Sequence, residues 1–258
     1  MTLRYGRFAV PDTKARYGRI DGFTVRLFDG PPWRGGKETD DTLPLAACDR
    51  VCPVAPTKIV CVGRNYGAHI EEIGGSEFPK EPILCLKPTS SLLEPGGTIR
   101  LPRESERVEH EIELGVVIGH RCRRVPVAHA LDQVFGYTVV GDITARDLQK
   151  RDGQWARSKG FDSFCPVGPE IVAGINPNAL SLHARVNGVE RQAGNTRDMV
   201  FSVAEIVSFV SQTMTLEPGD LISTGTPDGV GILAEGDMLE MEIEHIGVLR
   251  VAVRKERV

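Results

Sequence analysis

The stretch at residues 108–119, VEHEIELGVVIG, places glutamates inside an otherwise apolar segment. Alternate residues of a β-strand share a face, so Glu111 and Glu113 would point the same way, roughly 6–7 Å apart, with Ile112 and Leu114 on the other side. Burying two carboxylates is costly unless a cation or hydrogen-bond donors compensate, and a divalent metal ion is the simplest compensation. The spacing alone favours a pair on the solvated face of an amphipathic strand, because such alternation is common in half-buried strands.

The composition is that of an ordinary soluble globular protein, with 258 residues, 41% hydrophobic and 26% charged. This length allows one large domain or a main domain with a small appendage. The net charge of -4 argues against non-specific nucleic-acid binding, and Arg121, Arg123 and Arg124 fit a solvated turn. Because no apolar run of about 18 residues and no signal-peptide core occur, we predict a cytoplasmic protein that does not contact membranes.

The six cysteines are scattered along the chain. Cys48 and Cys52 form a CxxxC pattern, but no second pair and no nearby histidines accompany it, so neither a zinc site nor a disulfide framework is indicated. We therefore expect most of the six to be buried free thiols in a reducing compartment.

The first part of the chain has short strand signals, at residues 7–10 and 24–28, separated by glycine and proline turns. The segment PVAPTK at 53–58 is typical of a linker, and an apolar strand follows it. We therefore predict a small β-rich N-terminal domain over residues 1–54 and a main domain over residues 55–258.

The segment GRNYGAHIEEIGG predicts a short helix that Asn65 caps and Gly74 ends. His69 and Glu72 then lie at i and i+3 on one helical face, where the carboxylate could orient the imidazole or act with it on one water. A chance neighbour pair on a surface helix fits the spacing too. The flanking glycines would let the segment close over a site as a lid.

The apolar strand predicted at 134–142 ends at Asp142, where a strand end would hold the side chain rigidly beside loops. The segment that follows has helical spacing, so Asp142 could also cap a helix. Arg146 and Gln149 are i and i+3 in that segment, and Lys159 comes further along. Taken singly, each of these three residues is typical of a solvated helix surface.

Two later segments carry clear local signals. Asn187-Gly188 supplies the residues of a tight turn and predicts a hairpin over 182–194. Ser202 and Glu205 form a capping-box pattern that predicts the start of a core helix over 202–214.

The glycine-rich loop GTPDGVG at 225–231 lacks both the Walker pattern and the Rossmann glycine pattern. It could still present backbone donors and the hydroxyl of Thr226 to a carboxylate or phosphate. The loop by itself therefore indicates anion binding only weakly.

Taken together, six segments resemble the fumarylacetoacetate hydrolase family, over about residues 58–253, and they occur in the family's order. They are GRNYGAH at 63–69, LKP at 86–88, HEIELGVVIG at 110–119, GDITARDLQ at 141–149, SKGFDSFCPVGP at 158–169 and STGTPDGVG at 223–231. The first 54 residues resemble, more loosely, the small extra domain of longer bacterial members.

This resemblance implies an α+β fold, in which a mixed, rolled, barrel-like β-sheet carries peripheral helices, and it implies a homodimer. At the matching positions, Glu111, Glu113 and Asp142 would bind Mg²⁺ or Mn²⁺, as suits three oxygen ligands and a hard octahedral cation. Lys159 would lie beside the metal.

By the same resemblance, His69 and Glu72 would be the water-activating pair of a lid, and Arg146, Gln149 and Thr226 would hold oxygens of a small 2-oxo acid substrate. The implied reaction is hydrolysis of a C–C bond in an acylpyruvate or fumarylpyruvate, with pyruvate enolate as the leaving group. We favour hydrolysis because both members of the water-activating pair are present.

Other activities stay open. Oxaloacetate decarboxylation and the isomerisation or decarboxylation of 2-hydroxyhepta-2,4-diene-1,7-dioate in aromatic catabolism use the same kind of enolate, and isomerases of such pathways often have a long N-terminus. A homologue that binds small molecules without turnover is a different class. The intact carboxylates, lysine and dyad argue against it.

Overall fold

The structure is a computed structural model that describes residues 2–10 and 14–256. The N-terminal part contains strands β1 (Leu3–Phe8), β2 (Arg16–Asp21), β3 (Thr24–Phe28), β4 (Glu38–Pro44) and β5 (Arg50–Val51). The next strands are β6 (Ile59–Gly63), β7 (Ile83–Lys87), β8 (Leu92–Leu93), β9 (Thr98–Leu101), β10 (Val108–His110), β11 (Ile112–Ile118), β12 (Val134–Gly141) and β13 (Thr144–Ala145). The last are β14 (Cys165–Ala173), β15 (Ser181–Val186), β16 (Val189–Asn195), β17 (Leu221–Ser223), β18 (Gly231–Ile232), β19 (Met238–Ile243) and β20 (Gly247–Lys255).

The α-helices of the described residues are short apart from one. They are α1 (Gly67–Glu72), α2 (Arg146–Asp152), α3 (Ala156–Lys159) and α4 (Val203–Thr213). Single 3-10 turns occur at Pro32–Arg34, Leu45–Ala47, Thr89–Ser91, Val127–His129, Leu131–Gln133, Pro177–Ala179 and Thr196–Asp198. The chain is therefore dominated by β-structure.

The largest sheet has twelve strands and includes both the N-terminal strands and the central ones. Its main path runs β4-β3-β2-β1-β14-β12-β11-β17-β6-β7, and β5 and β8 pair beside it. Antiparallel pairing predominates, but β6 runs parallel to β17, so the sheet is mixed. The expected α+β fold is confirmed, and the described strands do not close into a barrel because the path ends at β4 and β7.

The N-terminal strands join this sheet through β1, which pairs with β14 in the register Leu3↔Ala173. Phe8, Val25 and Leu27 form a small apolar cluster of their own within this part. The N-terminal part therefore has a small core of its own but shares its sheet with the main part of the chain. The boundary near residue 54 stays a prediction.

The described residues also form two smaller sheets, one with the order β13-β10-β18 and one with the order β16-β15-β19-β20-β9. The main core includes Ile112, Leu114 and Val116 of β11 together with the apolar face of α4. Alternate residues of β11 therefore enter the core, as its pattern predicts.

Two local signals are confirmed. Asn187 and Gly188 have φ values of 54° and 78°, which form the tight turn between β15 and β16. Ser202 accepts from the amide of Glu205, and the Glu205 side chain accepts in return from the Ser202 amide, so α4 begins with a capping box.

The predicted cap of the first helix is wrong. α1 begins at Gly67, after Tyr66, while Asn65 uses its side chain to bond residues far along the chain. Its amide nitrogen donates to Thr224 O at 2.7 Å and to Phe201 O at 3.0 Å. Asn65 therefore fastens the loop before α1 to the rest of the fold. The first strand also lies earlier than expected, at Leu3–Phe8.

The cysteines and the basic cluster follow their expectations in part. All six cysteines are free, but Cys61, Cys122 and Cys165 alone are buried, so fewer are buried than expected. Arg121, Arg123 and Arg124 are exposed, as a solvated turn requires. Among the helices of the described residues, none has the length and apolar character to cross a membrane.

Candidate active site

Backbone pairing places the predicted carboxylates side by side. Glu111 lies between β10, in the three-stranded sheet, and β11, in the twelve-stranded sheet. Ile112 pairs with Gly141, and the amide of Asp142 donates to Glu111 O at 2.9 Å. Asp142 therefore lies directly across from Glu111, at the edge of the large sheet where β11 begins and β12 ends.

The side chains of Glu111, Glu113 and Asp142 converge there. Each offers one carboxylate oxygen, and these oxygens all lie within 4.8 Å of one another. The three residues are 4%, 2% and 2% exposed, which excludes a solvated face for the glutamates. Three buried oxygen donors at this spacing could hold a hard divalent cation.

Glu113 has hydrogen-bond donors but lacks a counter-charge. Its Oε2 accepts from Ser223 Oγ at 2.5 Å and from the Gly225 amide at 2.8 Å, which leaves Oε1 for another partner. Within the described part of the chain, no basic side chain forms an ion pair with it. Burial, together with the charges of Asp142 and Glu111, raises the pKa of Glu113 well above its usual value. A bound divalent cation would supply the missing positive charge, so this donor set fits a metal ion.

Two buried lysines lie on either side of Asp142. Lys87 Nζ donates to Asp142 Oδ1 at 2.6 Å and to Ile143 O at 3.1 Å. Lys159, at the end of α3, donates to the other oxygen of Asp142 and to Glu111 Oε2 at 3.1 Å. Although burial acts in the opposite direction, the charges of Asp142 and Glu111 raise the pKa of Lys159 well above its usual value. Lys159 is therefore charged in the folded protein.

Arg146 is the first residue of α2 and completes the ionic cluster. Its Nη1 donates to Gln149 Oε1 at 2.6 Å, and its Nη2 donates to Glu111 Oε1. Burial works against ionisation, but Lys159 and Arg146 lower the pKa of Glu111. Ala145 occupies the N-cap position of α2, so the alternative that Asp142 caps this helix is wrong.

The pair His69 and Glu72 lies on α1 at the edge of the cluster. His69 Nδ1 and Glu72 Oε2 are 3.0 Å apart, and His69 is only 5% exposed. The other oxygen of Glu72 accepts from the Gly229 amide at 2.9 Å. The expected contact between His69 and Glu72 is present, and the bond from Gly229 connects α1 to the loop that precedes β18.

Thr226 lies in the same loop, and its hydroxyl already has protein partners. It donates to Ile112 O at 2.8 Å and accepts from Gln192 Nε2 at 2.8 Å. Thr226 therefore helps to anchor the loop against β11, and its contact with a substrate stays a prediction.

All nine predicted site residues line one cavity of about 430 Å³. They are His69, Glu72, Glu111, Glu113, Asp142, Arg146, Gln149, Lys159 and Thr226. The structure thus brings together residues that are up to 157 positions apart in the chain, although their roles stay predictions.

The sequence interpretation missed several residues of this site. Glu109 is buried beside Arg146, and it continues the alternation of acids that already singled out Glu111. Lys87 ends a predicted apolar strand, but only the folded structure shows that its side chain bonds Asp142. Trp155 packs against Gly63 at the cavity wall, so closely that a Cβ at Gly63 would collide with its ring.

Comparison with known proteins agrees with this architecture. A family model described as the fumarylacetoacetate (FAA) hydrolase C-terminal domain matches residues 58–254, and one described as Rv2993c-like, N-terminal, matches residues 3–48. An uncharacterised protein of Methanocaldococcus jannaschii is 52% identical over 203 residues, which are 79% of this chain and 85% of the relative.

Two further relatives have named activities. The mitochondrial oxaloacetate tautomerase FAHD1 of Arabidopsis thaliana is 44% identical over 205 residues, covering 77% of this chain and 92% of the relative. The crystal structure of 2-hydroxyhepta-2,4-diene-1,7-dioate isomerase from Mycobacterium marinum has a TM-score of 0.91 at 40% identity, covering 99% of this chain and 100% of that one. The chain therefore belongs to the fumarylacetoacetate hydrolase family, whose named members are enzymes.

Proposed function

We propose that this protein is a Mg²⁺- or Mn²⁺-dependent hydrolase that cleaves a C–C bond in a 2-oxo acid of the acylpyruvate or fumarylpyruvate type. The main support is the meeting, in one cavity, of a hydrogen-bonded histidine–glutamate pair with three buried carboxylates. The pair can activate water, and the carboxylates can hold a cation.

Glu111, Glu113 and Asp142 would be the protein ligands of the ion. When bound, the ion would act as a template and Lewis acid for the carboxylate and ketone oxygens of the substrate. Mg²⁺ and Mn²⁺ both suit oxygen ligands, so the residues do not choose between them.

Arg146 and Gln149 would orient the substrate. A guanidinium has five N–H donors, and the three contacts of Arg146 with protein groups leave one donor on each terminal nitrogen. Those two donors are available to a substrate carboxylate, and such charge-assisted hydrogen bonds are strong. Thr226 would add a contact from the opposite loop.

His69 would act as the general base. A carboxylate only accepts hydrogen bonds, so the contact of His69 Nδ1 with Glu72 requires the proton on Nδ1. In the neutral imidazole Nε2 is then the unprotonated nitrogen, and it can take a proton from a water molecule. Glu72 fixes the tautomer and stabilises the imidazolium that forms.

The activated water would attack the distal carbonyl carbon of the β-diketone. The bond between that carbon and the methylene carbon then breaks, and its electron pair leaves as pyruvate enolate. The charge of Lys159 stabilises the enolate, and the proton held by His69 Nε2 is available to protonate the methylene carbon. The products are pyruvate and a carboxylic acid.

A second candidate is tautomerisation, isomerisation or decarboxylation of an unsaturated or β-keto 2-oxo acid. The named activities of two relatives favour it. One is an oxaloacetate tautomerase, and the other is a 2-hydroxyhepta-2,4-diene-1,7-dioate isomerase whose similarity extends over the N-terminal part of this chain as well. These reactions pass through a similar enolate and need no attacking water. A homodimer, a cytoplasmic location and a role in aromatic catabolism stay predictions of the sequence.

The test is a metal-supplemented assay that compares acetylpyruvate, fumarylpyruvate, oxaloacetate and an unsaturated hydroxy-dienedioate. We expect the first or second to give pyruvate and an acid, and EDTA to stop the reaction. If oxaloacetate or the hydroxy-dienedioate is converted and neither acylpyruvate is hydrolysed, the activity is tautomerisation, isomerisation or decarboxylation instead of hydrolysis. No turnover of any of them would favour a binding protein that has lost activity.

A further inference from the structure

Glu109 is a buried acid in the wall of the candidate active site. It is 1% exposed, and arginines occupy both of its oxygens. Oε1 accepts from Arg107 Nε at 2.6 Å, and Oε2 accepts from Arg146 Nε at 2.7 Å. Glu109 lines the same cavity but does not belong to the group of carboxylates whose oxygens converge, and it bonds to a predicted site residue through Arg146.

Glu109 and Glu111 share one edge of the Arg146 guanidinium. Nε bonds to Glu109, and Nη2 bonds to Glu111. The same edge of a guanidinium matches both oxygens of a single carboxylate in a bidentate pair. Without an acceptor at Glu109, Arg146 would be free to close on both oxygens of Glu111.

Such a closure would disturb two functions at once. Glu111 Oε2, which now accepts from Lys159, would then be shared with Arg146 and less available to a cation. Arg146 would also turn away from Gln149, its partner at Nη1, and its two remaining donors would no longer point as they do now.

The pairing of β10 explains why Glu109 is in the right place. Glu109 pairs with Thr144, and the amide of Arg146 donates to Arg107 O at 2.7 Å. Arg107 directly precedes β10, two residues before Glu109, and its carbonyl is the acceptor for the Arg146 amide. The register therefore sets Glu109 beside the Arg146 side chain.

From this geometry we propose that Glu109 is a positioning residue. It orients Arg146 toward the substrate carboxylate and keeps it from bonding both oxygens of Glu111. This inference rests on the function proposed above, in which Arg146 contacts the 2-oxo acid and Glu111 binds the cation.

The test compares two variants that remove the same charge. Glu109→Gln keeps an oxygen that can accept from Arg146 Nε, whereas Glu109→Met has nearly the same shape and no oxygen. Calorimetry measures the affinity of the metal-free protein for Mn²⁺, and then the affinity of the Mn²⁺-loaded protein for pyruvate. We expect Glu109→Gln to stay within about threefold of the wild type, and Glu109→Met to lose about tenfold or more in both affinities, as supporting residues of metal sites do.

Equal losses in the two variants would overturn the proposal, since charge rather than the hydrogen bond to Nε would then matter. Wild-type affinities in Glu109→Met would overturn it too. If the wild type binds neither Mn²⁺ nor pyruvate, the proposed function itself fails, and this inference with it. Should Glu109→Met not fold, Glu109→Ala takes its place.

A double-mutant cycle checks that Glu109 acts through Arg146. In an Arg146→Met background, exchanging Glu109 for Met rather than Gln should change the pyruvate affinity by less than about twofold, because the group to be positioned is gone. A tenfold difference in that background would contradict the proposal. Arg107→Ala is the matched control, since it removes the other partner of Glu109 from a half-exposed position, and we expect wild-type affinities.

Discussion

The carboxylate cluster and the histidine–glutamate pair line the same cavity, but the fold holds them in different ways. Glu111 and Asp142 lie at the ends of paired strands. Lys159 bonds to both carboxylates, Arg146 bonds to Glu111, and Lys87 bonds to Asp142. His69 and Glu72 lie on a six-residue helix whose N-cap residue makes no side-chain cap. The Glu72 contact with the Gly229 amide is a single hydrogen bond from this helix to the opposite loop.

This difference separates what must be rigid from what can move. Ligands of a hard cation need fixed positions, and strand ends with several bonds each provide them. A helix of this length is marginal by itself and depends on its tertiary contacts, so it belongs to the part of a fold that opens at low cost in free energy. The comparison is consistent with the prediction that α1 acts as a lid over a cation site, and the lid stays a prediction.

The largest expected effect on cation binding comes from the carboxylates. Glu111→Gln and Glu113→Gln should each weaken Mg²⁺ binding by more than about 100-fold, beyond the losses typical of residues that only support a ligand. Titration calorimetry measures the affinity, and an unchanged value in Glu111→Gln would count decisively against the metal site.

The same two variants should shift the stability of the metal-free protein in opposite directions. The pKa of Glu113 is raised from its usual 4.5, so its contribution to stability falls as the pH rises above 4.5. Glu113→Gln should therefore raise the unfolding temperature at pH 7 in EDTA. Glu111→Gln should lower it, because Lys159 and Arg146 lose a counter-charge. A shift of the same sign in both variants would contradict this view of the cluster.

The second expected effect concerns the dyad. His69→Ala or Glu72→Ala should reduce hydrolysis of acylpyruvates by about 10²–10⁴-fold, the usual contribution of general acid–base catalysis. Mg²⁺ affinity should stay within about twofold, because neither side chain is one of the three converging carboxylates, Glu111, Glu113 and Asp142. Equal hydrolysis by the variants would remove the dyad from the mechanism, and a parallel loss of metal binding would remove the contrast between the two regions.

The sequence predicted the features whose signals lie within a few residues. The alternation in β11, the capping box of α4 and the turn at Asn187-Gly188 are local, and all three are present. The i and i+3 spacing of His69 and Glu72 likewise predicted a contact that the structure contains. Local periodicity was sufficient for these features because a single element determines each of them.

The features that escaped prediction depend on pairing between distant segments. Lys87 meets Asp142 across 55 residues, and Asn65 bonds to Phe201 across 136, which is why its assignment as a local cap was wrong. The entry of β1 into the central sheet at β14 is of the same kind. Local periodicity shows which face of a segment is buried, but it does not show which distant segment lies beside it.

The third prediction weakens the contact between the lid and the opposite loop without touching either member of the dyad. Gly229 has φ of 89°, and a Cβ there would collide with the carbonyl of Arg191, so Gly229→Ala should displace the amide that bonds Glu72. We expect kcat/KM to fall about tenfold with metal affinity unchanged. Gly236→Ala is the control, because Gly236 has a similar φ of 96° but no atom near its Cβ position. Equal losses in both variants would assign the effect to backbone strain.

The smallest expected effect tests how firmly the strand-held side of the site is built. Ser223→Ala removes one of the two donors to Glu113 Oε2, but the Gly225 amide still bonds to the same oxygen. The carboxylate should therefore keep its orientation, and Mg²⁺ affinity should fall by less than about tenfold, at the lower limit for supporting residues of metal sites. Thr224→Val is a suitable neighbour control, since its hydroxyl donates to Leu114 O rather than to a ligand. A loss as large as that of Glu113→Gln would show that one hydroxyl determines the position of Glu113, and the carboxylate side would then be no more robust than the lid.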